Sequence, residues 1–363
     1  MLAVQTKPTY FKSLTGIRAI AAIMIFIYHN RKYWKNDLHP ELLRLCNEFN
    51  LGVQLFFVLS GFLIAKSYGT KPLQSFGAFQ RYCTQRVMRI MPLYWLMLTL
   101  FYLDAKFGKH HFSLLHYLLL QGFSSNLSLD AIAQSWSLTV EMTFYAFAPL
   151  LLVLLEKNRM YLIAFLASLL GISILTGSLL HSFTGNPNGY FYPINFVVMS
   201  TFAGQSLLFV AGICLAKYPN FFENLPFKKH LTTIGSLGFI ATLYAIGYFQ
   251  ETRIDHGTNH WQGKLLFFAI LPLFILLLFQ GLITQRTYLQ RFLSSKIMVV
   301  LGNASFAFYL IHISYVNLKI KSWVLFNDRN FILLWLVAIV LYYGFEKPIY
   351  DWYRKKFVNI EEK

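Results

Sequence analysis

The sequence is poor in charged residues. Asp, Glu, Lys and Arg make up 13% of its 363 residues, whereas 56% are hydrophobic. A water-soluble domain with so few charges would expose large apolar patches and would aggregate. The composition therefore excludes an ordinary soluble protein and predicts one that crosses a membrane many times.

Cysteine and acidic residues are scarce as well. The three cysteines, Cys46, Cys83 and Cys214, show neither the spacing of metal ligands nor an evident pairing, so we expect no bound metal. The 15 acidic residues are outnumbered by 32 basic ones, which gives a net charge of +17. Two origins of this excess stay open, the positive-inside rule and an anionic ligand. Nucleic-acid binding is not expected, because the basic residues are scattered through membrane loops.

Long polar segments are missing, and so is the cleavage site of a signal peptide. We therefore expect a single membrane domain over residues 1–363, without an additional soluble domain. Because a spanning helix needs about 20 apolar residues, we predict an all-α polytopic bundle of about ten transmembrane helices. The predicted spans are 14–31, 51–67, 90–107, 136–155, 159–180, 202–217, 233–250, 265–283, 298–317 and 330–346.

The distribution of Lys and Arg predicts the orientation of these spans. With the N-terminus in the cytoplasm, 21 Lys and Arg fall in the inner loops and tails and 11 in the outer loops. The positive-inside rule then places both termini in the cytoplasm. A further apolar stretch, 112–123, is predicted not to span, because a full crossing there would invert every later helix.

Two ionisable residues flank an apolar run in the stretch "GIRAIAAIMIFIYHN". Arg18 and His29 are eleven residues apart, so a helix places both on one face with an axial separation of about 16 Å. Ionisable residues within a membrane usually face the interior of the bundle and serve function. The structural alternatives are snorkelling of Arg18 to the interface and a buried, satisfied His29.

Two more titratable residues are predicted at the depth of His29, in the outer half of the membrane. Glu141 lies in "WSLTVEMTFYAF" and His312 in "LGNASFAFYLIH". A histidine paired with a carboxylate is the arrangement that general-base chemistry on a hydroxyl requires. For both Glu141 and His312 a purely structural role remains the alternative.

Arginines gather in "QRYCTQRVMRIMPLYW", on the predicted cytoplasmic face. Arg86 and Arg89 either mark the topology, bind lipid phosphates or clamp the phosphates of a ligand. Elsewhere, Ser60, Trp136 and Tyr28 are predicted to line the substrate cavity.

With these stretches the sequence resembles a known family, the acyltransferase-3 family of integral membrane acyltransferases, which O-acetylate cell-surface polysaccharides. The resemblance extends from residue 14 to about residue 352 and preserves the order of the family motifs. The stretches that carry it are "LTGIRAIAAIMIFIYHN", "GVQLFFVLSGFLI", "QRVMRIMPLYW", "WSLTVEMTFYAF", "LGNASFAFYLIH" and "FEKPIYDW".

The resemblance implies roles for particular residues. The family's arginine–histidine pair falls on Arg18 and His29, its paired arginines fall on Arg86 and Arg89, and its glutamate falls on Glu141. The family uses an acyl-CoA donor, usually acetyl-CoA, from the cytoplasm and an acceptor hydroxyl on the outer side. Gln54 and Asn303 depart from the residues of many relatives, so we assign neither a role.

The resemblance also implies a location and a class of acceptor. We expect a multi-pass protein of the cell inner membrane that contacts the lipid bilayer, acyl-CoA and a glycan acceptor. The leading acceptor is a sugar of the lipopolysaccharide O-antigen, while capsule, peptidoglycan and small glycosides stay open. The extra hydrolase-like domain of some relatives is not expected here.

These expectations combine into one hypothesis about helix 1. The phosphates of coenzyme A would bind at the cytoplasmic arginines, and the pantetheine arm would run up the bundle to place the thioester near His29. His29 would then deprotonate the acceptor hydroxyl. The rival function is a proton-coupled secondary transporter, since histidine and glutamate at membrane depth also suit a proton relay.

Overall fold

A computed structural model of the chain describes residues 10–33, 36–103, 113–252, 255–314, 316–317 and 329–357. These residues are mostly helical and contain no β-strand, which confirms the predicted all-α class. In chain order the helices are α1 (Lys12–Asn30), α2 (Pro40–Asn47), α3 (Gly52–Ser67), α4 (Phe76–Leu103), α5 (Leu114–Tyr117), α6 (Trp136–Lys157), α7 (Arg159–Thr184), α8 (Ile194–Ser200), α9 (Phe202–Lys217), α10 (Pro219–Glu223), α11 (Leu231–Gly247), α12 (Trp261–Leu265), α13 (Leu271–Thr284), α14 (Tyr288–Leu293), α15 (Lys296–Ile311), α16 (Arg329–Leu341) and α17 (Lys347–Phe357).

The described residues include eight helical stretches that are long and apolar enough to cross a membrane. Of the other two predicted spans, 298–317 overlaps the shorter apolar α15, which ends at Ile311, and the described part of 90–107 lies within α4. The molecule is therefore a polytopic membrane bundle, as predicted. The eight stretches are Lys12–Tyr33, Pro40–Ser67, Ala133–Lys157, Arg159–Thr184, Ile194–Lys217, Lys228–Gly247, Trp261–Thr284 and Asn330–Phe357.

The exposed apolar surface of α7 is the most direct indication that the bundle lies in a lipid bilayer. Although the mean hydropathy of its most hydrophobic window is 2.2, only 17% of that window is buried within the protein. Phe183 is 83% exposed and Ile172 is 62% exposed. Because large apolar side chains at this density are unfavourable in water, the surrounding medium must be hydrocarbon.

α4 differs from its predicted bounds. The sequence predicts a span that starts at residue 90, whereas α4 begins at Phe76. Its first half carries polar and charged residues, which hide it from a search for apolar runs. Arg86 and Arg89 therefore lie inside a continuous helix, not in a loop that precedes one.

The stretch 112–123 forms only short helical turns over its described residues. The four-residue helix α5 and a 3-10 turn at Gln121–Phe123 are both far too short to cross a bilayer. The prediction that this stretch does not span is confirmed.

The chain divides into two compact units. Unit 1 comprises Met1–Ser67 and Ala211–Asn303. Within it, α11 and α13 pack closely because small residues line their contact: a Cβ atom on Gly235 would lie 2.2 Å from the backbone nitrogen of Leu278. Gly52 plays the same part between α3 and α1, since its Cβ would lie 2.8 Å from the Ala21 carbonyl oxygen. Close approach of this kind is typical of helices in membranes.

Unit 2 comprises Tyr68–Val210 and Ala304–Lys363. Aromatic stacking holds its helices together. Phe144 of α6 stacks on Phe209 of α9 with ring centroids 4.2 Å apart, and Phe308 of α15 stacks on Trp335 of α16 at 4.0 Å. Such pairs add to the energy of apolar burial.

Candidate active site

α1 carries both members of the predicted arginine–histidine pair. It runs from Lys12 to Asn30, so Arg18 and His29 share one helix of unit 1 and are about 16 Å apart along its axis. Both residues are partly buried, between fully buried neighbours such as Ala19 and Ile25. The prediction that one helix carries both residues is therefore confirmed, while their roles stay predictions.

Tyr28 is part of a polar cluster at the His29 end of α1. Its ring meets the His29 ring edge-to-face, with centroids 4.7 Å apart. Its hydroxyl lies 3.0 Å from Nε2 of His256, which follows α11. The Arg31 guanidinium sits over the Tyr28 ring at 4.0 Å and donates a 2.6 Å hydrogen bond to the Tyr28 carbonyl. Tyr28 is therefore held on three sides.

His256 lies outside the membrane-spanning stretches. Burial, and after it the positive charge of Arg31, lower the pKa of His256 below its ordinary value. The imidazole is therefore neutral at physiological pH and has one nitrogen available to accept a hydrogen bond.

Ser60 and Trp136 were predicted to line the substrate cavity. Ser60 lies near the middle of α3 in unit 1, and Trp136 is the first residue of α6 in unit 2. Both are partly buried. Their role in substrate binding stays a prediction.

Arg86 occupies a cage of tyrosines in unit 2. It is only 8% exposed and is therefore buried within the protein. Its guanidinium lies 5.0 Å from the Tyr68 ring centroid and 5.6 Å from that of Tyr145, and it donates a hydrogen bond to the Tyr68 hydroxyl. Nε of Arg86 is buried and has no hydrogen-bond partner among the described residues. A buried cation with an unused donor suits an anionic ligand.

Arg89 follows Arg86 by three residues on α4 and is partly buried. Residues three apart on a helix are neighbours on its surface. The two arginines can therefore contact one ligand, with Arg86 the more deeply placed of the two.

Glu141 connects to this cage through Tyr145. The hydroxyl of Tyr145 donates a 2.6 Å hydrogen bond to Oε1 of Glu141, one turn earlier on α6. The Tyr145 carbonyl in turn accepts a 3.0 Å hydrogen bond from the Tyr82 hydroxyl of α4. Tyr145 therefore touches both the predicted donor-binding Arg86 and the predicted catalytic Glu141.

His312 lies in a turn just after α15 and not on the helix, because α15 ends at Ile311. The prediction that the helix extends to residue 317 was wrong here. Nδ1 of His312 is 2.6 Å from the Tyr309 carbonyl oxygen, so Nδ1 carries the proton and donates it. This tautomer leaves Nε2 as the basic nitrogen.

The turn that holds His312 is fixed to the start of α6. Nε2 of Gln134 donates to the carbonyls of Tyr309 and Leu310 at 3.1 and 2.6 Å. Oγ of Ser137 is 2.8 Å from the Tyr309 hydroxyl. Both ends of this linkage lie within unit 2, so α6 carries Glu141 and also anchors the His312 turn.

Comparison with known proteins identifies the family of the chain. The family model Acyl_transf_3, described as "Acyltransferase domain", matches residues 11–345. The chain belongs to the acyltransferase-3 family. This membership confirms the resemblance drawn from the six sequence stretches.

Individual relatives of this acyltransferase-3 chain come from Staphylococcus aureus. A protein of strain COL named "Putative O-acetyltransferase SACOL0978" is 27% identical, over 89% of this chain and 54% of the relative. The O-acetyltransferase OatA of strain NCTC 8325 is 24% identical, over 84% of this chain and 50% of OatA. The chain thus spans about half the length of the curated relatives it matches. No solved structure shows a significant match.

The structure adds residues that sequence reasoning on this acyltransferase-3 chain missed. Tyr82 and Tyr145 each stand four residues from a predicted site residue on the same helix, Arg86 and Glu141, so helical spacing could have found them. His256 had no such signal, since it reaches Tyr28 from 228 positions away in the sequence.

Proposed function

We propose that this acyltransferase-3 chain is a membrane O-acyltransferase that moves an acetyl group from acetyl-CoA to a hydroxyl of a glycan. The match to the family over residues 11–345 is the observation that carries the proposal. The donor enters from the cytoplasmic side of the cell inner membrane, where both termini lie. The acceptor is an extracytoplasmic glycan, and lipopolysaccharide O-antigen is the first to be tested.

The chemistry needs a base, an anion site and a path between them. His29 takes the proton of the acceptor hydroxyl, whose oxygen then attacks the thioester carbonyl. The new bond joins that oxygen to the acetyl carbon, the carbon–sulfur bond breaks, and coenzyme A leaves as a thiolate that is then protonated. The separation of about 16 Å between Arg18 and His29 supports this arrangement, because an extended pantetheine arm has a comparable length.

The cage of tyrosines around Arg86 supports the proposed binding site for the acyl donor. Arg86 and Arg89 bind the phosphates of coenzyme A, with the unused Nε donor of Arg86 as one contact. Glu141 and His312 act at the chemical end. Tyr145 keeps the Glu141 carboxylate in one orientation through its 2.6 Å hydrogen bond.

Reconstitution tests the proposal directly. The purified protein in proteoliposomes receives acetyl-CoA labelled in the acetyl group and de-O-acetylated O-antigen as acceptor. We expect release of free coenzyme A together with labelled O-acetyl ester on the glycan. A preparation that releases no coenzyme A, yet moves protons when a gradient is imposed, would identify a transporter and overturn the proposal.

The arginines should govern donor affinity and not the chemical step. Replacing Arg89 by alanine should raise the KM for acetyl-CoA by about 10-fold, because a charge-assisted contact is worth about 1.5–3 kcal/mol. Arg86→Lys should raise it too, since an ammonium cannot reproduce the planar fork of a guanidinium. Steady-state kinetics at varied acetyl-CoA measures both changes.

Thermal unfolding separates ligand loss from misfolding in these variants. At about 100 times its Kd, free coenzyme A should stabilise the wild type by about 2.7 kcal/mol. The Arg86→Ala, Arg89→Ala double variant should gain almost nothing. Arg159→Ala, an exposed arginine of the same unit, should respond like the wild type. If the double variant is stabilised as strongly as the wild type, the arginines do not bind the donor.

A further inference from the structure

Glu48 is a buried carboxylate that the proposed reaction does not use. It is 0% exposed, and its Oε1 accepts hydrogen bonds from Nε2 of Gln250 at 2.6 Å and from the backbone nitrogen of Gly257 at 2.7 Å. A carboxylate buried in this way is costly unless such bonds compensate it. Glu48 therefore joins the turn between α2 and α3 to the segment that follows α11.

Two further contacts strengthen this junction. Nδ2 of Asn47 donates a 3.0 Å hydrogen bond to Gln250, and Nε of Arg31 donates to Oδ1 of Asn47 at 2.6 Å. Gly257 fits because it has no side chain, since a Cβ there would lie 1.8 Å from the Ile246 carbonyl oxygen. The segment after α11 is thus held against the end of α1 by bonds on several sides.

The junction between Glu48 and the segment after α11 places His256 against α1. It directly precedes Gly257, the residue whose backbone nitrogen bonds to Glu48. Its Nε2 lies 3.0 Å from the Tyr28 hydroxyl, and the two rings lie 5.4 Å apart. Tyr28 in turn presents its ring edge-to-face to His29 at 4.7 Å. A continuous series of contacts therefore leads from Glu48 to His29.

We propose that Glu48, His256 and Tyr28 form a positioning device for His29, here called the His256 clasp. It rests on the role of His29 proposed above. His29 lies in the last turn of α1, and the ends of helices are less well ordered than their middles. A catalytic group must be held within about 0.5 Å of its working position. The His256 clasp supplies this order by fixing the ring that borders His29.

Kinetics of purified protein with acetyl-CoA and de-O-acetylated O-antigen tests the clasp. Tyr28→Phe keeps the ring but removes the hydroxyl, and we expect it to lower kcat by about 5- to 20-fold with the KM for acetyl-CoA unchanged. His256→Leu should do the same. The double variant should be no worse than either single one, because both remove one interaction. His256→Gln should recover part of the rate, since its amide can reach the position of Nε2.

A second measurement reads His29 without any need for activity. Diethyl pyrocarbonate modifies neutral histidine, and peptide mass spectrometry gives the rate at His29 alone. We expect this rate to rise by about 3-fold or more in Tyr28→Phe and in His256→Leu, because His29 becomes more mobile and more accessible. Tyr244→Phe is the matched control, since it removes a tyrosine hydroxyl bonded at 2.6 Å to Glu41 in the same unit. It should change neither kcat nor the modification rate.

The outcomes separate the clasp from the proposed function. Unchanged kcat and an unchanged modification rate of His29 in both clasp variants overturn the clasp. Full acyl transfer by His29→Ala would instead overturn the role of His29 as the base. In that case the modification rate alone decides whether the clasp positions the ring.

Discussion

Replacing His29 by alanine is expected to lower the rate of acyl transfer by about 10²–10⁴-fold, the usual contribution of a positioned general base. His29 lies in the last turn of α1 and is only partly buried. Its loss should therefore cost little packing energy, and the variant should unfold near the temperature of the wild type. Initial rates of coenzyme A release at saturating acetyl-CoA and acceptor, together with thermal unfolding in detergent, give both quantities.

His230→Ala serves as the control for this experiment. His230 is exposed and precedes α11 in the same unit, so its loss should leave the rate unchanged. Wild-type activity in His29→Ala would contradict the assignment. His312 would then become the leading candidate, since its protonated Nδ1 leaves Nε2 as the basic nitrogen.

The sequence predicts best those features that depend on residues close to one another in the chain. Arg18 and His29 were placed on one helix because eleven residues correspond to almost three complete turns, and α1 contains both. Apolar runs also located most of the spanning helices. The failures have a physical cause too. The first half of α4 is polar, and it is helical because tertiary packing, not hydrophobicity alone, stabilises helices.

The environment of each site residue was harder to predict than its position. The sequence near Arg86 does not predict that this residue is buried. Its burial arises because Tyr68 and Tyr145, from other segments, pack against it. The same holds for Tyr28, whose partner His256 comes from a distant loop. Contacts between residues far apart in the sequence leave no periodic signal, so only the folded structure reveals them.

Glu141→Gln should be nearly as damaging as the loss of His29, with kcat reduced by about 10²–10⁴-fold. The substitution separates charge from geometry. Glutamine matches glutamate in shape, and its amide oxygen can still accept the hydrogen bond that Tyr145 donates to Oε1 at 2.6 Å. The orientation of the side chain is then preserved, and what disappears is the negative charge, to which the proposed function assigns the support of a positive imidazolium during proton transfer.

The pattern of kinetic constants decides which role Glu141 has. We expect kcat to fall while the KM for acetyl-CoA stays close to that of the wild type, because the proposed function assigns the carboxylate to the chemical step and not to binding of the phosphates. Tyr145→Phe leaves the charge but removes the hydrogen bond, so it should cost only about 10-fold in kcat. If Glu141→Gln instead raises the KM and leaves kcat intact, Glu141 belongs to the donor-binding site. Tyr145 would then link two parts of that one site, since its ring also borders Arg86.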